Sequence, residues 1–177
     1  MIIAYKLTDS DMQTHNMFQW ELGKEYTTSG KGNLCSAGWL HFYTHPLLAM
    51  LLNPIHADIK NPRLFMAEVG GKNKLDHGLK VGYTRGRLTK EMPLPMVTTE
   101  QSVRFAILCA LEVYDNADFI AWANKWLSGE DKTEAAAEAA EAAAEAAEAE
   151  AGAAAGAWAG GNKEINLIAI AIKVVGG

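Results

Sequence analysis

The chain has 177 residues, 49% of them hydrophobic and 21% charged, as in a globular protein of one large or two small domains. Lys and Arg number 11 in residues 1–97, against 8 Asp and Glu, but only 5 in residues 98–177, against 13, so the two halves carry net charges of +3 and −8. An acidic second half argues against direct nucleic-acid binding through it, because phosphate contacts need clustered cations.

Residues 1–97 contain short apolar runs separated by Gly, Pro and Asn. Pro46 suits a first helical position and Asn53–Pro54 suits a helix end, so residues 45–53 favour a helix. The segments SGKGN, GGKN and TRGR are predicted to be turns. Five runs have the length and aromatic content of β-strands, and they cover residues 2–6, 17–21, 38–43, 63–69 and 79–83. This half is predicted to be a small α+β domain with a mixed or antiparallel sheet.

From Thr98 the pattern becomes helical. Thr98 and Gln101 have the spacing of a capping box, and an apolar stripe of helical period follows. A second helix is predicted to begin at Asp115 or Asn116 and to stop at Gly129. The first stripe contains Phe105, Ile107, Leu108, Leu111 and Val113, and the second contains Phe119, Trp122 and Trp126.

Residues 131–158 are predicted to form an alanine-rich helix that starts at Asp131 or Thr133. Five glutamates, spaced alternately by four and three residues, fall within an arc of about 80° and form one acidic stripe. They are Glu134, Glu138, Glu141, Glu145 and Glu148. The broad alanine face favours close packing against neighbouring helices or against a second copy of the chain. For residues 152–161 the sequence allows either a continuation of the helix or a linker.

The last segment, KEINLIAIAIKVV, favours a helix capped by Asn162, although its partial alternation also allows a strand. The face expected to be apolar contains Ile165, Ile168, Ile172 and Val175. The predicted organisation is therefore an α+β domain over residues 1–97, followed by an all-α, alanine-rich region over residues 98–177.

The sequence contains no motif that specifies a reaction: it lacks a Walker loop, a nucleophile elbow and a GxGxxG fingerprint. No cofactor and no metal are expected. His41 and His45 have HxxxH spacing, but His41 lies in a predicted strand, where it should be half buried, and His45 is expected in a loop or at a helix cap. A basic tract is predicted to be a solvated hairpin, and it contains Lys72, Lys74, Lys80, Arg85, Arg87 and Lys90.

Cysteine content and the N-terminus bear on the compartment. Cys35 and Cys109 are too few for a disulfide framework, so both are predicted to be reduced and partly buried. The opening MIIAYKLTDSD lacks the features of a signal peptide, and no apolar run is long enough to span a bilayer. These features predict a soluble protein of the cytoplasm without a membrane partner.

Three segments of the first half, FQWELGKEY, LCSAGWLHFYTHPLLAM and RLFMAEVGG, together resemble an uncharacterised N-terminal domain of bacteriophage and prophage proteins. The helical segments after Thr98, the alanine-rich run and INLIAIAI resemble the tail that often follows that domain. The resemblance covers most of the chain and implies a phage protein in the host cytoplasm. This family has no assigned catalytic residues to carry over.

A second resemblance is to ADP-ribosyltransferases, in which a Gly-containing aromatic strand precedes a helix that lines a nicotinamide pocket. Gly38, His41 and Phe42 are similar to that strand, and the resemblance adds Tyr5 and Glu68 as candidate site residues. The chain lacks the Ser-Thr-Ser strand and the E-x-E pair of those enzymes.

Three hypotheses follow for function. The leading hypothesis is a phage accessory protein that binds a host protein or complex through its acidic helical surface, as a host-interaction or counter-defence inhibitor of the anti-CRISPR kind. The alternatives are an ADP-ribosyltransferase-like enzyme or nucleotide-binding domain, with a pocket that encloses His41 and Glu68, and a structural protein that forms homo-oligomers through its alanine-rich helix.

Overall fold

The structure is a computed structural model, and it describes residues 2–133 and 165–176. The chain divides into two compact units, Met1–Met96 and Val97–Gly177. The part of the predicted alanine-rich helix that begins at residue 134, with the five glutamates of its stripe, lies outside the described residues.

The first unit is an α+β fold built on long antiparallel strands. Its strands are β1 (Ile2–Thr8), β2 (Gln13–Thr14), β3 (Phe18–Gln19), β4 (Glu25–Thr27), β5 (Leu40–Phe42), β6 (Arg63–Asp76) and β7 (Lys80–Met92). A 3-10 turn, His15–Met17, joins β2 to β3, and two short helices, α1 (Pro46–Leu51) and α2 (Asn53–His56), follow β5.

The main sheet has the order β1-β6-β7-β4, and β5 pairs with β7 beyond the end of β4. Every pair is antiparallel. Tyr5 in β1 and Tyr43 after β5 exchange two backbone hydrogen bonds of 2.8 Å. This bridge joins the first strand to the far side of β7, so the sheet curls back on itself. The antiparallel alternative of the predicted sheet is confirmed.

The hairpin of β6 and β7 is longer than predicted, and it contains two of the segments expected to be turns. GGKN lies inside β6, where the register shifts between Gly70 and Asn73 as in a β-bulge. Gly71 has φ +79°, a conformation that favours glycine. TRGR lies inside β7. The prediction of turns there was wrong because the glycines have other causes: a bulge at Gly70 and Gly71, and at Gly86 the Phe42 ring, whose Cζ would lie 2.6 Å from an added Cβ.

Three further predictions in this unit are corrected. β4 was missed, and the expected strand over 17–21 is reduced to Phe18–Gln19. Asn53–Pro54 does not end the helical segment but opens α2, because Pro suits the first turn of a helix.

His45 is confirmed as a cap: its Nδ1 accepts a hydrogen bond of 3.2 Å from the Leu47 amide.

The main hydrophobic cluster of the first unit lies on one face of this curled sheet. Trp20, from the loop before β4, packs edge-on against Phe42 with ring centroids 5.9 Å apart. Phe42 is completely buried. The buried residues of this cluster are Ala4, Trp20, Leu40, Phe42, Phe65, Ala67, Val69, Val81, Tyr83 and Leu88. Their neighbours in the strands point to the opposite face, which positions the charged groups described below.

The second unit contains three helices within its described residues: α3 (Thr99–Leu111), α4 (Ala117–Ser128) and α5 (Leu167–Val175). The capping box of Thr98 and Gln101 is confirmed. Of the two candidate caps for α4, Asn116 binds the Phe119 amide, and Gly129 ends the helix with φ +82°. Phe119, Trp122 and Trp126 share a cluster with Ile107 and Ala123, as their spacing predicted.

The last segment is a helix, so the favoured prediction is confirmed over the strand. Its cap is Asn166, which binds the Ala169 amide, and Asn162 lies outside the described residues. The predicted apolar face is wrong: Leu167, Ala171 and Val174 are buried, whereas Ile172 is 51% exposed. Because the segment is apolar all round, its sequence did not identify which side faces the core.

Candidate functional site

A shallow groove of about 360 Å³ lies on the sheet face opposite the core, where β6, β7 and β4 run side by side. Five residues line it: Glu25, Glu68, Val69, Arg85 and Arg87. We call this surface the charged groove. Two carboxylates and two guanidinium groups give it no net formal charge.

Strand register explains how these charges meet. Arg87 of β7 lies directly opposite Glu68 of β6 on one side and opposite Glu25 of β4 on the other. Arg85 is two residues from Arg87, so its side chain emerges on the same face. Opposite Arg85 lies Gly70, and a Cβ at this glycine would be 3.1 Å from an Arg85 guanidinium nitrogen. The absence of a side chain at Gly70 therefore leaves room for Arg85.

The charges of the groove form two ion pairs of different character. Arg87 Nη2 donates a hydrogen bond to Glu68 Oε2, and this bond raises the pKa of Arg87 above its usual value. Arg85 Nε and Glu25 Oε2 are 3.8 Å apart, and both side chains are more than half exposed, at 57% and 56%. Exposed pairs of this kind contribute little to stability. Arg85 and Glu25 can therefore separate from each other and pair with charged groups of another molecule at a small cost in free energy.

Tyr5, another candidate, lies near the charged groove but does not line it. Tyr5 pairs with Met66, and Ile3 pairs with Glu68, so Tyr5 and Glu68 occupy diagonal positions on one face of neighbouring strands. The Tyr5 backbone is engaged in the bridge to Tyr43. The structure therefore places Tyr5 and Glu68 in the same region.

His41 lies elsewhere. His41 pairs with Gly82 of β7, whereas Glu68 pairs with Arg87 of the same strand. These two positions on β7 are five residues apart, which corresponds to about 17 Å along the strand. His41 is half buried, as predicted, and its Nε2 donates a hydrogen bond to the Leu34 carbonyl. Burial is the main cause that lowers its pKa. His41 is not among the residues that line the charged groove.

Titratable side chains cluster around His41. Tyr43 stacks on His56 with ring centroids 5.8 Å apart, and its hydroxyl lies 3.3 Å from His56 Nδ1. Burial raises the pKa of Tyr43 to about 12, and burial, reinforced by Lys80, lowers that of His56 to about 4. At neutral pH both side chains are therefore uncharged.

Lys6 is the most perturbed amine of the first unit. It lies on the core face of β1, where its Nζ donates a hydrogen bond of 2.8 Å to the His41 carbonyl. The same nitrogen is 5.4 Å from the centroid of the Trp20 ring and 5.6 Å from that of Phe42. Burial lowers the pKa of Lys6 to about 8, and no carboxylate contributes to this shift.

The basic tract forms the predicted hairpin, and three of its cations have carboxylate partners. Arg85 and Arg87 pair with Glu25 and Glu68, and Lys80 Nζ is 3.8 Å from Asp76 Oδ2. Sequence reasoning missed Glu25 because β4 has only three residues. The two-residue spacing of Arg85 and Arg87 was the available signal that these cations share one strand face.

Cys35 and Cys109 are both free thiols, but Cys35 is exposed, contrary to prediction, and Cys109 is partly buried. Within residues 2–133 and 165–176, no group of three or more His, Cys, Asp and Glu side chains is arranged to hold a metal ion. In those same ranges, no helix is long and apolar enough to cross a membrane.

Comparison with known proteins identifies a family. Residues 2–100 match a family described as a domain of unknown function, DUF7666. No curated protein and no solved structure matches the chain. The family match begins with β1 and continues past the end of β7, so it includes the whole sheet and the charged groove. Because it covers more than half of the 177 residues, the chain belongs to the DUF7666 family.

Proposed function

We propose that this protein acts by binding another protein and that the charged groove is its contact surface. The observation that carries the proposal is the alternation of Glu68, Arg87 and Glu25 across three strands, with Arg85 beside them. Strand register places these charges side by side, and an alternating pattern of this kind favours a partner with the complementary arrangement of charges.

The exposure of the groove supports a protein partner. Arg85 and Glu25 are more than half exposed and their side chains only weakly paired, so a partner can engage both without breaking a strong interaction. The balance of two carboxylates and two guanidinium groups disfavours nucleic acid, because carboxylates repel phosphates and counterion release requires an excess of cations. The partner surface should carry both signs of charge.

The biological part of the proposal rests on the resemblance to phage proteins. We propose that the protein is a phage accessory protein in the host cytoplasm, and that its partner is a host protein or complex that it inhibits, as a counter-defence factor does. The acidic stripe predicted over residues 134–148 would add a second contact surface in that proposal.

The proposal is tested by recovery of a partner and by charge reversal. The full chain, tagged, is used to capture proteins from a host lysate, and the affinity for the recovered protein is measured by titration calorimetry. Arg85→Glu should weaken binding at least about tenfold, because it places repulsion where the partner carries an acidic group. The double variant Glu25→Arg with Arg85→Glu keeps an ion pair but inverts its direction, and it should also lose binding.

The control is Lys60→Glu, which reverses a charge that is more exposed than Arg85, at 78% against 57%, and that lies outside the charged groove. This control should bind as the unmodified chain does. The proposal fails if no partner is recovered at near-stoichiometric amount, or if the groove variants and the control bind equally. Consumption of NAD by the purified chain, abolished in Glu68→Gln, would favour the enzyme alternative instead.

A further inference from the structure

Cys35 and Lys80 bring a thiol and an amine into direct contact. Lys80 Nζ lies 3.2 Å from Cys35 Sγ, although the two residues are 45 positions apart in the chain. Cys35 is exposed, whereas the Lys80 side chain is only 18% exposed. A small oxidant can therefore reach the sulfur, while the amine is kept beside it.

The contact is supported on both sides. Leu34, next to Cys35, is buried, and its carbonyl accepts a hydrogen bond from His41 in β5. Lys80 is the first residue of β7, and Asp76 Oδ2 lies 3.8 Å from its ammonium nitrogen. The loop before β5 and the tight turn before β7 thus hold the sulfur and the nitrogen in place from separate elements.

We propose that Cys35 and Lys80 form a reversible sulfenamide cross-link when the protein meets a hydroperoxide. The Cys35 sulfur, as its thiolate, attacks one peroxide oxygen, the O–O bond breaks, and a sulfenic acid and one water are formed. The deprotonated Lys80 nitrogen then attacks that sulfur, the S–O bond breaks, the S–N bond forms, and a second water leaves.

The reaction is balanced with hydrogen peroxide as the oxidant. One thiol, one amine and one hydrogen peroxide give one sulfenamide and two waters, so the sulfur is oxidised by two electrons and the peroxide is reduced by two. The Asp76 carboxylate is placed to accept the proton that the Lys80 ammonium loses. A thiol reductant reverses the cross-link, since it attacks the sulfur and releases the amine.

Cys109 provides an internal comparison. It is partly buried, and burial raises the pKa of its thiol to about 12, so it is a poor nucleophile toward peroxide. A disulfide between the two cysteines would change the mass of the chain as the sulfenamide does. The test therefore uses the full chain with Cys109→Ser.

Mass spectrometry of the peroxide-treated Cys109→Ser chain tests the proposal. The intact mass should fall by about 2 Da for the loss of two hydrogens, and digestion should yield a peptide that joins Cys35 to Lys80. Dithiothreitol should restore the original mass. Dimedone, which captures sulfenic acids, should suppress the cross-link when it is present during oxidation.

Lys80→Arg is the control, because it keeps a cation near Cys35 but removes the amine. In this variant Cys35 should accumulate as the dimedone adduct without a cross-link. The proposal is overturned if Lys80→Arg loses the same mass as the parent chain, if dimedone leaves the cross-link yield unchanged, or if Cys35 is oxidised to sulfinic acid with Lys80 unmodified. The dimedone competition needs no substitution at Lys80, so it decides the matter even where Lys80→Arg does not fold.

Discussion

Replacing Lys6 by methionine should change how the stability of the first unit depends on pH. Lys6 is charged at pH 7, yet it lies against the rings of Trp20 and Phe42 and has one hydrogen bond, to the His41 carbonyl. Burial therefore disfavours the charged form in the folded state. Methionine fills a similar volume and does not titrate.

The magnitude follows from the lowered pKa of Lys6. A fall from 10.5 to about 8 on folding corresponds to about 3 kcal/mol at about 1.4 kcal/mol per pH unit. Below pH 8 both states are protonated and the full cost of burying the charge is present. Between pH 8 and 10.5 the unfolded chain binds the proton and the folded chain does not, so the stability of the unmodified protein rises relative to Lys6→Met.

The assay is urea unfolding at several pH values from 7 to 10.5. Unfolding is monitored by tryptophan fluorescence, to which Trp20 contributes. The quantity of interest is the free energy of unfolding of the unmodified protein minus that of Lys6→Met, because other groups titrate in both and cancel. Lys60→Met, which removes a lysine whose side chain is 78% exposed, controls for the loss of one charge. A difference that changes by less than about 1 kcal/mol over this range would refute the role assigned to burial.

Three substitutions test packing and capping. Phe42→Ala removes a completely buried ring, and urea unfolding should show a loss of about 3–5 kcal/mol; a loss below about 1 kcal/mol would contradict the core described here. Gly38→Ala would place a Cβ onto the Lys31 carbonyl oxygen, so the melting temperature of the first unit should fall, and an unchanged value would show that this loop is built differently. Thr98→Ala removes the capping box of α3 and should lower the free energy of unfolding by about 1 kcal/mol. This loss is measured by urea unfolding monitored by helical circular dichroism, and the control Thr99→Ala should lower the free energy of unfolding by less.

The sequence predicted the elements whose causes are local. The helix caps at His45, Thr98 and Asn116 depend on side chains that bind amides two or three residues away, and these were found. The sequence underestimates the length of β6, because Gly70 and Gly71 predict a turn that would end the strand. A bulge inside a hairpin depends on the partner strand, which local reasoning does not include.

The charged groove was out of reach of the sequence for a related reason. The sequence points to Glu68, but its ion-pair partner Arg87 lies 19 positions away, and Glu25, on the other side of Arg87, lies 43 positions away, so strand register alone brings the three together. The resemblance to ADP-ribosyltransferases places His41 and Glu68 in one site, but their register partners on β7, Gly82 and Arg87, are five residues apart. Which residues share a surface is determined by pairing between distant strands, and composition and spacing carry little information on it.

The pairing of β1 with β6 has a consequence for synthesis of the chain on the ribosome. β1 is made first, but its register partners are residues 63–69, and the hairpin that holds them is completed only when β7 ends at Met92. During that interval the nascent chain exposes the apolar residues of β1 and Trp20 without the strands that cover them. Folding of the first unit should therefore occur late and in one step, and during translation this segment should be a target for chaperones that bind extended apolar chains.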